Sequence, residues 1–231
     1  MDIVDTGSGT PVIFLHAATG HSALWEHQLP AFAAAGYRCI AFDRSADGFA
    51  SDQVEEVAAK LKLERFHLLG TAAGAIIAVD YALSRADRLR SLVLANTIVG
   101  AQDPEYLELS QRLRPSPQFE KMPADFRELG PSYRAGNAEG TKRWNELARA
   151  RARVAYTIKN RITYAALETI KLPTLLLTGD ADLYMPPSVL RLFAKRFRGS
   201  ESVVLPECGH SGYWEQPELF NRTVLDFLQK N

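Results

Sequence analysis

Cysteine is scarce: of 231 residues, only Cys39 and Cys208 carry a thiol. Two cannot build a disulfide framework, so the fold must stand on its core, and the usage suits a reducing cytoplasm. Cys39, inside an apolar run, reads as a small buried hydrophobe. Net charge is absent too, since Lys plus Arg and Asp plus Glu both number 27. No overall field therefore draws the chain to nucleic acid or to an anionic membrane. No apolar stretch approaches the length of a membrane span, and no opening segment joins positive charge to an apolar run. No glycine-rich phosphate loop and no cluster of metal-ligand residue types occurs, so neither a cofactor nor a metal is expected. These absences leave a cytoplasmic protein, monomer or homodimer, whose expected partner is a small-molecule substrate.

What is present is an ordinary full core, with 46% hydrophobic and 23% charged residues. Short β-branched runs alternate with helical patterns, which predicts an α/β fold with a mostly parallel sheet flanked by helices on both faces. The spacing predicts strands over 12–15, 38–42, 66–69, 91–94, 174–177 and 202–205. Nearly all-apolar strands are those covered on both sides. Helices are predicted over 24–35, 53–61, 73–84, 188–196 and 217–228, the last opening on Pro217, where proline costs least. The stretch 102–170 breaks the alternation with prolines, arginines, aromatics and two or three amphipathic pieces. It reads as a helical cap inserted into a core made of 1–101 and 171–231, or else as a surface insertion that meets no ligand. The run Arg149, Arg151, Arg153 reads as a solvated helix face.

Three short segments follow three of the apolar strands. Gly70-Thr71-Ala72-Ala73-Gly74 has the form of a strand-to-helix elbow, with small residues where the backbone must pass closely. A nucleophile at such an apex points into a cleft, and the apex here holds only a methyl group. The N–H of Ala73 would still stand at a helix N-terminus, able to stabilise an oxyanion. The small-residue loop Ala17-Ala18-Thr19-Gly20 after the first predicted strand offers a second donor, for which Ala18 is the candidate. Thr178-Gly179-Asp180-Ala181-Asp182 supplies an acid, Asp182, with Asp180 read as a turn stabiliser. Cys208-Gly209-His210 supplies a base, so the chain order is nucleophile position, acid, histidine. Each segment alone has a bland reading, as a close-packing turn, a turn aspartate or a surface histidine.

Together these residues make the chain resemble the α/β-hydrolase fold superfamily over nearly its whole length. The resemblance rests on His16 to Gly20, Asp43-Arg44, Gly70 to Gly74, Gly179 to Pro186 and His210 to Pro217. Within it, the run from Gly209 to Glu218 is similar to enol-lactone hydrolases and to hydrolases that cleave carbon-carbon bonds in ring-fission products. The resemblance implies an enzyme, a hydrolase with no cofactor. Three departures stand out: Ala72 itself, an altered loop over Asp43 to Gly48, and a short N-terminus that reaches the first predicted strand quickly, as if lacking part of a leading hairpin.

Ala72 removes the acyl-enzyme route. A dyad with oxyanion donors alone still leaves roughly a thousandfold over water in well-studied triads. The chain therefore reads as a serine hydrolase inactivated at one position, naturally or by substitution, or as one using His210 and Asp182 without a serine. A small-molecule receptor on the same scaffold is the non-enzymatic alternative. Thr71 could offer a substitute hydroxyl, although its direction at the turn is wrong for one. The expected site is Ala72, His210 and Asp182, with Ala18 and Ala73 as amide donors and His16, Ala17, Tyr133, Trp144 and Trp214 facing the substrate. Phe126 and Tyr156 are further candidates for an apolar pocket lining.

Overall fold

The computed structural model describes residues 2–97 and 99–231. Seven strands form one sheet: β1 (Ile3–Gly7), β2 (Thr10–Leu15), β3 (Tyr37–Phe42), β4 (Phe66–Thr71), β5 (Leu89–Ala95), β6 (Thr174–Gly179) and β7 (Glu201–Leu205). Their spatial order is β1-β3-β2-β4-β5-β6-β7. β1 runs antiparallel to β3, and every other pairing is parallel. This is the expected α/β-hydrolase sheet.

Period-two alternation sorts the strand residues into two apolar layers. Ile13, Leu15, Ile40, Leu68 and Leu94 belong to one, whereas Val12, Phe14, Cys39, Leu69 and Val93 belong to the other. Over the first layer lie α2 (Ala50–Lys60), α3 (Ala73–Arg85) and α9 (Pro187–Ala194), which contribute Val54, Ile77 and Phe193. Over the second lie α1 (Leu29–Ala34) and α11 (Pro217–Leu228), with Phe32 and Phe220. Between β5 and β6 the described residues form α4 (Pro104–Arg112), α5 (Ala124–Glu128), α6 (Pro131–Gly136), α7 (Ala138–Arg149) and α8 (Tyr164–Leu167), and after β7 comes the short α10 (Gly212–Glu215). Among the described residues, no helix is long and apolar enough to cross a membrane.

Two features depart from the sequence reading. The short N-terminus is itself a strand: β1 lies at the sheet edge with four of its five residues exposed, so it carries no apolar run to betray it. The helix expected over 24–35 is a 3-10 turn at Ser22–Trp25 followed by α1, which starts at Leu29. Pro30 is the reason, because a proline belongs in a first helical turn and disrupts an interior one.

The junction of β4 and α3 is unusually tight. A Cβ on Gly70 would stand 2.4 Å from the Gly74 carbonyl carbon, and one on Gly74 would stand 2.1 Å from the Leu15 carbonyl oxygen. Both neighbours are backbone and cannot swing aside. Gly74→Ala is therefore expected to lower stability by about 1–3 kcal/mol through overpacking, read as a lower urea midpoint at unchanged slope. A midpoint equal to that of the parent would show that the helix can back away freely.

Candidate active site

The chain leaves β4 and enters α3 through Ala72, whose backbone takes φ 49° and ψ −115°. Such a conformation costs a non-glycine residue about 1–3 kcal/mol and persists only where its surroundings fix it. Here the Ala72 N–H donates to the Ala95 carbonyl at 3.0 Å, and its own carbonyl accepts the Ala75 N–H at 3.1 Å and the Thr97 hydroxyl at 2.9 Å. Ala73 is the first residue of α3, so its N–H has no intrahelical partner. The Ala18 N–H likewise meets no acceptor among the described residues. Ala17, Ala18, Ala72, Ala73 and His210 share one cavity of about 230 Å³, toward the small end for a ligand site.

The loop bearing Ala18 is braced from behind. The buried Arg44 guanidinium donates through Nη2 to the carbonyls of His16 at 2.9 Å and Ala17 at 3.1 Å. The His16 ring lies under this loop, with Nδ1 2.7 Å from the Ala17 carbonyl and Nε2 accepting the Arg44 N–H at 3.5 Å. Burial and the adjacent Arg44 charge push its pKa down to about 3, so the ring is neutral. His16 is thus part of the loop's support and does not reach the cavity, contrary to the substrate-facing role expected for it.

Asp182 is buried after β6. Its carboxylate accepts the N–H groups of Tyr184 at 2.8 Å and Met185 at 2.9 Å, the Thr178 hydroxyl at 3.0 Å and the Asn96 amide at 3.2 Å. His210 Nδ1 lies 2.9 and 2.8 Å from its two oxygens. Burial alone would raise the Asp182 pKa, but His210 and these donors overcome it and hold the carboxyl below its ordinary value. Burial alone would lower His210, but the Asp182 charge and hydrogen bond outweigh it and leave the imidazole raised. Asp180 takes the Cys208 and Glu207 N–H groups, each at 3.1 Å, and so ties the two strand-end loops together.

The sequence reading passed over Asn96, Thr178 and Glu215. Asn96 ends β5 with φ 48° and also donates to the Gly209 carbonyl at 3.2 Å. Glu215 sits on α10 with its carboxylate inside the histidine loop, accepting N–H groups from Gly209 at 3.0 Å, Ser211 at 3.1 Å and Gly130 at 2.7 Å. The last of these ties the segment between β5 and β6 to the loop of His210. A polar residue ending an apolar strand was the available signal for Asn96, and nothing local marked Glu215.

Several expected lining residues lie elsewhere. Trp144 is fully buried in the second apolar layer. Trp214 stacks at a tilt on His27, with ring centres 5.0 Å apart, and donates to the Gly140 carbonyl at 3.3 Å. Tyr133 packs beside Gly140, and Phe126 lies under the Arg134 guanidinium. Large flat rings gain most by burying against the core, and that is where Trp144, Trp214 and Tyr133 went, while Phe126 is half-buried outside it. Of the named aromatics Tyr156 lines the cavity; Thr71 is buried, its hydroxyl without a partner and off the lining. The roof is charged where an apolar one was expected: Arg114, Glu120, Arg127, Glu128 and Arg153 reach it. Arg153 follows the end of α7 and is therefore not part of a solvated helix face.

Comparison with known proteins gives the family and the fold. A model described as the alpha/beta hydrolase family matches residues 12–223. A 2-hydroxy-6-oxononadienedioate/2-hydroxy-6-oxononatrienedioate hydrolase of Pseudomonas putida is 29% identical, covering 97% of this chain and 90% of its own. Among solved structures, a thermophilic esterase from Thermogutta terrifontis with malate bound superposes with a TM-score of 0.83 at 25% identity, over 99% of this chain and 93% of the other. An enol-lactonase from Burkholderia xenovorans LB400 superposes with a TM-score of 0.78 at 20% identity, over 99% and 96%, which speaks to the fold alone.

The dyad has a pH signature. A raised His210 lends stability fully below its ordinary 6.5 and loses it as pH rises through the folded value. A lowered Asp182 lends stability above its ordinary 3.8 and loses it as pH falls through the folded value. Proton NMR is expected to place the His210 titration above 6.5 in the parent and to bring it down in Asp182→Asn. An unchanged titration in that variant would mean the carboxylate does not charge the ring.

Proposed function

Because the chain belongs to the alpha/beta hydrolase family, we propose that it hydrolyses an ester, lactone or carbon-carbon bond of a small organic substrate, using water in place of a serine nucleophile. The observation that carries this reading is the convergence, on one cavity, of a buried histidine held by a carboxylate and a strained elbow with unpaired amides. His210 acts as general base, taking a proton from water while Asp182 fixes its tautomer and steadies the imidazolium. The N–H groups of Ala73 and Ala18 receive the oxyanion that forms as water adds to the carbonyl. Ala72 occupies the nucleophile position, and its methyl leaves room for the attacking water. The segment over residues 102–170 serves as the cap that closes the cavity from above. The P. putida relative, named for a dienedioate substrate, and the esterase structure support the substrate class.

Turnover of p-nitrophenyl acetate is the direct test. The parent chain should react slowly and without an initial burst, because no acyl-enzyme can accumulate. Ala72→Ser should raise kcat/KM by at least about a hundredfold and introduce a burst, and His210→Ala should abolish the rate in both backgrounds. A serine variant no faster than the parent would defeat the assignment of position 72, and a parent rate that survives His210→Ala would defeat the base.

A further inference from the structure

Glu128 is the group this mechanism does not use. It ends α5, is 6% exposed, and lines the same cavity as His210 and Ala72. One of its oxygens, Oε2, accepts the hydroxyl of Thr19 at 3.0 Å, and Thr19 follows Ala18 in the loop of unpaired amides. Its other oxygen, Oε1, has no partner among the described residues. Of the three arginines on the lining, Arg153 is exposed and makes no ion pair with it, and the other two are engaged elsewhere. Arg127 donates to the Tyr184 hydroxyl at 2.7 Å and to Glu120 at 3.2 Å, while Arg114 lies 3.7 Å from Glu120 and stacks over the Tyr184 ring at 4.9 Å. A buried carboxylate with one hydrogen bond and no ion pair is an expensive group, and a buried carboxylic acid is a cheap one.

We propose that Glu128 is the general acid of the site, protonating the leaving oxygen of a substrate whose carbonyl is attacked by water activated at His210. This rests on the hydrolytic reading above. Water gives one proton to His210 Nε2 as its oxygen bonds to the carbonyl carbon, and the carbonyl electron pair moves onto the oxyanion held by the amides. When that intermediate collapses, the carbon to leaving-oxygen bond breaks and the departing oxygen takes the proton from Glu128. The imidazolium then returns its proton to the Glu128 carboxylate across the cavity, so one ester and one water become one acid and one alcohol with both groups restored. Burial works in the same direction, pushing the carboxyl above the ordinary range against the pull of His210, Thr19, Arg127 and Arg153. The remaining groups about it are Tyr184, Tyr156, Arg114 and Glu120.

An acid is needed most when the leaving group is poor. Glu128→Gln is therefore expected to slow ethyl acetate hydrolysis by about a hundredfold or more and p-nitrophenyl acetate hydrolysis far less, since nitrophenoxide departs unaided. The ethyl ester rate of the parent should fall as pH rises through the Glu128 titration, and the variant should lack that limb. Equal losses on both esters would overturn the acid role and leave Glu128 a positioning residue. A second measurement needs no turnover: the infrared difference between parent and Glu128→Gln at neutral pH should contain the carbonyl band of a protonated carboxyl. A carboxylate band in its place overturns the proposal. A parent inert toward both esters defeats the hydrolytic reading itself and the acid role with it, whereas turnover with equal losses defeats the acid role alone.

Discussion

The site depends on two glycines and the backbone they let through. Gly70 and Gly74 allow β4, α3 and the end of β2 to meet backbone against backbone, and the chain can then turn only through a left-handed residue at 72. That turn aims the start of α3, with its unpaired Ala73 amide and the positive end of the helix dipole, at the cavity. None of this geometry is held by a side chain at position 72. Its hydrogen bonds come from the Ala72 N–H and carbonyl, so the oxyanion-binding arrangement is independent of whether a hydroxyl stands at the apex. A site of this kind loses its nucleophile without losing its electrostatics.

The opposite wall of the cavity is held by a single polar network across three strand ends. Asn96 at the end of β5, Thr178 at the end of β6 and Glu215 beyond β7 fix Asp182 and the His210 loop from different directions. Because Glu215 also accepts the Gly130 N–H, the segment over the cavity and the histidine loop share one carboxylate. Displacing that segment while the site stays dry leaves the Gly130 N–H wanting an acceptor, at a cost of about 1–3 kcal/mol. That hydrogen bond couples the roof to the loop of His210.

What could be read beforehand follows from how local each signal is. Strands covered on both faces are apolar throughout, so the five inner strands β2 to β6 stood out, whereas β1 hides because an exposed edge strand such as Ile3–Gly7 needs no apolar pattern. The positions of the elbow, Asp182 and His210 were legible because each is tied to a strand end with its own glycine. The lining was not: Trp144, Trp214, Tyr133 and Phe126 are the residues one would assign to an apolar pocket, yet the first three pack into the core, where there is most surface to bury, and Phe126 against Arg134. Arginine and glutamate reach the cavity because their long stems can be buried while the charged ends meet at the roof. No spacing in sequence marks Glu128, since what makes it unusual is the absence of an ionic partner in space.

A charged roof over a floor of amides changes what the cavity can do. With a serine, the first step makes a covalent ester and the histidine alone can carry the proton to the leaving group. With water as the only nucleophile, the proton taken from it sits on His210 beside the attacking oxygen, which is not where the leaving group departs. A single base then has to serve two positions in successive steps. Placing a second proton on the far side of the carbonyl removes that conflict, and Glu128, tethered by Thr19 to the loop of Ala18, is the carboxyl on the lining without an ionic partner among the described residues. The low dielectric that makes its ionised form costly also strengthens the amide dipoles aimed at the oxyanion. Burial thus serves both ends of the reaction, shifting Glu128 toward its neutral form and sharpening the stabilisation of the oxyanion.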